Sequence, residues 1–301
     1  MKRYDPARIR GIPNEYRVDL NSIPNKRGHS FETRPQARQC DEVRLAAVQR
    51  NIPHLSPAEA KLAPDLIEAL SSGINRGKHS LRAGAGPGSL GTALGWRDHR
   101  IIEGAKVLKL IMLDLDDWRF AIIVPNDEQF TAEELSRWSV GRSMARFRSA
   151  LNREGAREAD GYLVAYFHCD YDPTTGLFSP HLHVLLKGEM IQVVDRLRTR
   201  AKYRSVRAGA SPESPVHLPI KIDRRPLQNA VSAVTYLMKS YWPAIASGDT
   251  GGGRHVRYGR RYRMPEPVHT KVLLWLHKHR FEDLRLLIGV RDTTRGLVPT
   301  R

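Results

Sequence analysis

The sequence predicts an α+β fold, a mostly antiparallel sheet with helices packed on it. Three observations predict it. From Lys106 onward, β-branched and apolar runs alternate with amphipathic stretches. The turn sequence Asp172-Pro173-Thr174-Thr175-Gly176 joins two of those runs as a hairpin. Neither a long parallel series nor a glycine-rich fingerprint supports a doubly wound dinucleotide fold.

The elements follow in order. Pro6, Pro13, Pro24 and Pro35 bar a long helix from Met1 to Gln39, which reads as irregular. Ser56-Pro57-Ala58-Glu59 combines a capping box with proline at the first helical position, so a short helix starts there, restarts at Pro64 and ends at Gly73. Arg82 to Gly95 is glycine-rich and aperiodic and reads as a linker, lacking the Gly-Lys-Ser/Thr end of a phosphate-binding loop. Val107 to Leu113 and Phe120 to Val124 read as strands. Thr131 to Glu134 is a second capping box, opening a helix with Leu135, Trp138, Phe147 and Leu151 near helical spacing. Strands are predicted at Tyr162 to His168, His181 to Leu186 and Val216 to Ile222, with helices at Met190 to Tyr203, Leu227 to Tyr241 and Lys271 to Ile288. The predicted organisation is a helical and irregular extension over 1–104, a catalytic-type α+β domain over 105–245, and a basic segment with a closing helix over 246–301.

Composition narrows the function classes. The chain has 301 residues, 41% hydrophobic, enough for a real core, and 49 Lys and Arg against 32 Asp and Glu, a net charge of +17. Polyanions are the expected partners. Cys40 and Cys169 cannot build a disulfide framework or a paired-cysteine zinc site, and no apolar run is long enough for a membrane span. A cytoplasmic protein with no membrane partner is the expectation.

The chemistry concentrates in two places. In Ser179-Pro180-His181-Leu182-His183-Val184, strand alternation projects both imidazoles from one face, a pairing suited to a divalent metal. A hairpin folding about Thr174 and Thr175 sets His168 directly opposite His181, on the same face, as a third ligand. Asp170 shares that face and is the alternative should a bulge shift the register. The competing reading is a solvated strand face carrying ordinary polar residues. In the helix predicted at Leu227 to Tyr241, Leu227, Ala230, Val231, Val234, Leu237 and Met238 form the apolar stripe, and Tyr236 falls almost opposite it with Lys239 on the same polar face. A lysine beside a phenol favours the phenolate and can meet a phosphate oxygen.

At these residues the chain resembles the HUH endonucleases, in particular the rolling-circle replication initiators of plasmids and phages. Phe178-Ser-Pro-His181-Leu-His183-Val-Leu-Leu matches the histidine motif, and Ala233-Val-Thr-Tyr236-Leu-Met-Lys239 the later Tyr-x-x-Lys motif, in the initiator order. Phe120 to Val124 matches the apolar first motif without its usual threonine, and His168 stands where the family often has an acidic residue. The resemblance spans about residues 106–242 and implies an HUH-type sheet related to the RRM or ferredoxin-like arrangement. It implies an endonuclease and strand transferase with a single nucleophile, Tyr236, aided by Lys239, and Mg²⁺ or Mn²⁺ held by His181, His183 and His168. Its substrate would be single-stranded or hairpin origin DNA, with host helicase and polymerase as further partners. Arg196, Arg198, Arg200, Lys202 and Arg204, and Arg254, Arg257, Arg260, Arg261 and Arg263, are the candidate DNA contacts. The alternatives are a single-tyrosine transposase of the same chemistry, a non-catalytic basic nucleic-acid-binding protein and a basic scaffolding protein.

Overall fold

The computed structural model describes residues 32–75, 88–113, 116–207, 216–239, 242–250, 254–257, 261–293 and 296–300. Helix α1 (Arg34–Asn51) begins where Thr33 and Gln36 form a capping box with proline in the first turn. Proline is harmless there because its missing N–H would have no intrahelical partner. The expected irregular stretch is thus helical from Arg34, and residues 1–31 lie outside the described residues. The Ser56–Glu59 box opens α2 (Pro57–Ala60), and α3 (Ala63–Asn75) follows, running two residues past the expected stop at Gly73.

The expected linker is in part a packing device, its residues 82–87 lying outside the described residues. A Cβ at Gly91 would sit 2.6 Å from Leu273 O, and one at Gly95 would sit 2.2 Å from Ser89 O, so glycine permits a close approach at both. Gly95 already belongs to α4 (Ala93–Met112), capped by Thr92 and by Asp41, whose carboxylate accepts from Ala93 N at 2.5 Å and Leu94 N at 3.0 Å. The strand expected at Val107 to Leu113 is the second half of this helix. It is buried on nearly every side, and such a helix loses the one-sided periodicity that tells helix from buried strand. The boundary expected at residue 104 falls within it.

Strands β1 (Arg119–Ile123) and β2 (Phe130–Thr131) come next. The Thr131 to Glu134 box forms but closes only a turn; α5 (Val140–Arg153) starts later, on Ser139. The hairpin of β3 (Gly161–Asp172) and β4 (Leu177–Gly188) is longer than expected, turning at Gly176 with φ +72°. Helix α6 (Met190–Arg196) yields to 3-10 turns at Leu197–Thr199 and Ala201–Tyr203, so the predicted long helix is short. The strand expected at Val216 to Ile222 is split: β5 (Val206–Arg207) pairs β6 (Val216–His217), and β7 (Ile220–Ile222) resumes past Pro219, which has no N–H to donate. Helix α7 (Ala230–Leu237), capped by Asn229, is shorter than predicted at both ends. After β8 (Ser247–Thr250) and β9 (Arg254–Arg257), the closing helix α8 (Val268–His277) stops early. Residues 285–288, expected to be helical, form β10 (Arg285–Ile288), followed by a hairpin of β11 (Val290–Thr293) and β12 (Gly296–Pro299).

The central sheet has six antiparallel strands in the order β10-β3-β4-β1-β7, with β2 also paired to β4. Its two faces differ. One carries Leu163, Ala165, Phe167, Leu182, Val184 and Leu186, all buried, with Trp138, Trp242 and Trp275 around Phe167. The other carries Tyr166, His168, Asp170, His181 and His183 beneath α4 and α7. No helix among the described residues is long and apolar enough to cross a membrane.

Candidate functional site

The β3–β4 pairing runs without a bulge from Gly161↔Gly188 to Asp172↔Leu177 and places His168 opposite His181, and His183 opposite Tyr166. Directly paired residues share a face, so the three imidazoles cluster, with ring centroids 4.2 Å apart for His168 and His183, 5.1 Å for His181 and His183, and 5.8 Å for His168 and His181. The strand face is not solvated: His168 is 2% exposed, His181 6% and His183 0%. Asp170 is buried on the same face, opposite Ser179.

The C-terminal end of α7 closes over this face. The last carbonyls of a helix lack intrahelical donors, and here a run of them is taken up by side chains. His183 Nδ1 donates to Tyr236 O at 2.8 Å and His168 Nε2 to Leu237 O at 2.7 Å. Arg100 Nε donates to Met238 O, and Trp96 Nε1 to Lys239 O at 3.0 Å. Trp96 and Arg100 stand four apart on α4, hence on one face, and Arg100 is anchored by Glu32 at 2.5 Å. These two residues escaped the sequence reading because they fall between the stretch read as linker, which ends at Gly95, and the strand expected from Val107, where no helix was expected; their i,i+4 spacing on a helix was the available signal.

A carbonyl only accepts, so each bond fixes a tautomer: His183 keeps its lone pair on Nε2 and His168 on Nδ1. Those two buried atoms have no hydrogen-bond partner. His181 turns Nδ1 to Ser179 O at 3.2 Å. Burial, then the neighbouring His181 and Lys239, holds His168 well below the usual imidazole range. Burial, then His168, His181 and Lys239, does the same to His183. Neutral imidazoles oriented by backbone carbonyls are the form in which histidine binds a metal ion, though no group of three His, Cys, Asp or Glu side chains among the described residues is arranged as it stands to hold one.

Tyr236 is half-buried, its ring stacked on His183 at 4.8 Å and 9° and packed against Phe120 at 5.3 Å. Lys239 Nζ lies 5.0 Å from the ring centroid. The structure therefore brings together His168, His181, His183, Tyr236 and Lys239.

The basic residues are placed otherwise. Arg196 and Arg200 bind Glu154, Arg198 pairs with Asp195 at 2.7 Å, Lys202 with Glu128 at 2.8 Å, and Arg204 donates to Thr199 O at 3.3 Å. These are ties within the fold: Arg196 and Arg204 are exposed, Arg198, Arg200 and Lys202 partly so, and Glu128 is buried. Arg254 and Arg257 are in β9, Arg260 is outside the described residues, Arg261 is exposed, and Arg263 pairs with Glu266 at 3.2 Å. Against known proteins, the chain matches no family model, no curated protein and no solved structure.

Proposed function

We propose that this protein is an HUH-type endonuclease that nicks and rejoins single-stranded DNA through a phosphotyrosine at Tyr236, as a rolling-circle initiator of a plasmid or phage does. The observation that carries the reading is the stacking of the Tyr236 ring on His183, within a three-histidine cluster whose ring protons are turned away to backbone carbonyls.

His181, His183 and His168 would hold Mn²⁺ or Mg²⁺, imidazole donors suiting the former better; the bound ion would polarise the scissile phosphate. The unpartnered His168 Nδ1 and His183 Nε2 are the donors that suit it. Tyr236 Oη bonds to phosphorus as the bond to the 3′ oxygen breaks, and that oxygen takes up the proton the phenol loses. The product is a 5′-phosphotyrosine with a free 3′-hydroxyl, and the reverse reaction rejoins the ends. Lys239, its Nζ 5.0 Å from the Tyr236 ring centroid, would meet the phosphate charge. Stacking and the helix-end bonds hold the ring in place, so little orientation is left to the moment of reaction.

A second reading has its own support: His168 and His183 cap α7, and a basic nucleic-acid-binding protein could use them for that alone. Covalent capture separates the two. With Mn²⁺ and labelled single-stranded origin DNA, the wild-type protein should give a denaturation-resistant adduct and Tyr236→Phe none, with DNA affinity unchanged. An adduct in Tyr236→Phe, or none in the wild type, would overturn the proposal.

A further inference from the structure

We propose that the cavity bounded by α1, α4 and α8 is a pocket for one nucleobase of single-stranded DNA, an inference that rests on the nicking reading and adds a recognition site to it. The cavity encloses about 540 Å³, within the roughly 300–1,000 Å³ usual for small-ligand sites. It adjoins the tyrosine helix: Trp96 lines it and also donates to Lys239 O at 3.0 Å, and Trp242, three residues beyond Lys239, lines it too.

Its chemistry matches a nucleotide. Trp96, Trp242 and Met264 supply aromatic and apolar wall, and Arg44, Arg261 and Arg263 share the lining. Arg44 meets Asp41 and Gly91 O, and Arg263 meets Glu266, which leaves the Arg261 guanidinium for a ligand, and a base carries a phosphate on either side that can meet it. The acidic residue of the lining, Glu32, is already engaged by Arg100 at 2.5 Å and does not cancel that charge. Arg261 is exposed and makes no ion pair among the described residues. Trp242 Nε1 is buried with no hydrogen-bond partner, and each natural base offers a carbonyl oxygen or ring nitrogen to accept from it. Burying such a donor unpaired is unfavourable, which a base edge would relieve.

Cys40 gives a handle, because it lines the cavity and is exposed whereas Cys169 is buried. The probe is a fluorescent hexanucleotide of five abasic units and one central thymine or adenine, compared with six abasic units, on full-length Tyr236→Phe protein. The base should tighten binding by about 5- to 150-fold, the range for stacking one base. N-phenylmaleimide at Cys40 should abolish that difference while leaving abasic binding within about twofold, and Cys40→Ala treated alike should keep it. Arg261→Glu, at an exposed position, should weaken both oligonucleotides. Equal affinity for the two oligonucleotides, or a base effect that survives alkylation of Cys40, would overturn the pocket. Because Tyr236→Phe cannot form the adduct, the measurement stands apart from catalysis: adduct without base discrimination sinks the pocket alone, and discrimination without wild-type adduct sinks the nicking reading alone.

Discussion

The two faces of the β3–β4 hairpin are buried alike and held by different forces. Leu163, Ala165, Phe167, Leu182, Val184 and Leu186 meet other apolar groups, where removal from water is the stabilising contribution. Tyr166, His168, His181 and His183, and Arg285 on the neighbouring β10, are polar and just as covered, so each needs a partner. On that face Tyr166 Oη donates to Glu103, which also takes Arg285 and Lys106, while Asp292 takes Arg285 at 2.7 Å and Lys106 at 3.0 Å. Further along, His168 and His183 meet helix carbonyls instead, and His181 meets Ser179 O. Satisfied at one end by ion pairs and left with bare nitrogen lone pairs at the other, the polar face is rigid where it supports and open in bonding capacity where chemistry is proposed.

The most damaging test of this contrast is Glu103→Leu. It removes the shared acceptor of three buried donors, and breaking a buried network from one side costs about 3–5 kcal/mol. Urea unfolding should show that loss with an unchanged slope. A loss under 1 kcal/mol would mean Asp292 alone suffices. Leu182→Ala on the opposite face should cost about 2–5 kcal/mol through lost burial and a cavity. If the faces are as distinct as drawn, the two losses should add, since they share no partner.

Part of this architecture was legible in the sequence. The Asp172–Gly176 turn defines the hairpin centre, so His168 opposite His181 followed from turn chemistry, and alternation put His183 on that face. What covers the face was not legible. Covering helix α4 is buried almost all round, and its Val107–Leu113 half has the β-branched, apolar character of a strand. The partners of the arginines were also hidden: Glu154 lies 46 residues from Arg200, a separation that no local pattern encodes. The edge strand at Arg285 looked like the end of a helix because its apolar residues continue the spacing of α8.

Acid should separate the faces further. Burial alone would raise the Asp292 carboxyl, but Arg285 and Lys106 hold it below the ordinary carboxylate range. The folded state therefore binds this proton more weakly than the unfolded chain, whose Asp titrates near about pH 4. Its contribution is present above that pH and is lost as pH falls through the lower folded value. Asp292→Asn should flatten the dependence of stability on pH below about 4, and Leu182→Ala should shift the whole curve down with its shape retained. Parallel curves for wild type and Asp292→Asn would remove Asp292 from the network.

The smallest stability effect expected, and the most informative about the tyrosine, belongs to Trp96→Phe. The indole donates at 3.0 Å to Lys239 O, and phenylalanine keeps the ring packing against Phe281, whose centroid is 5.8 Å away, while losing the donor. Stability should fall by only about 0.5–1.5 kcal/mol, the usual worth of one such bond. Adduct formation at saturating DNA should fall further, roughly tenfold, because Lys239 is no longer tethered beside the Tyr236 ring and misplacement by about an ångström is costly for a positioned reaction. Its DNA affinity measured without metal should fall less than the rate does, because phenylalanine keeps an aromatic face in the cavity that Trp96 lines. Were the rate to drop only as far as the folded fraction does, Trp96 would be a packing residue, and the grip of α4 on the helix end would serve folding alone.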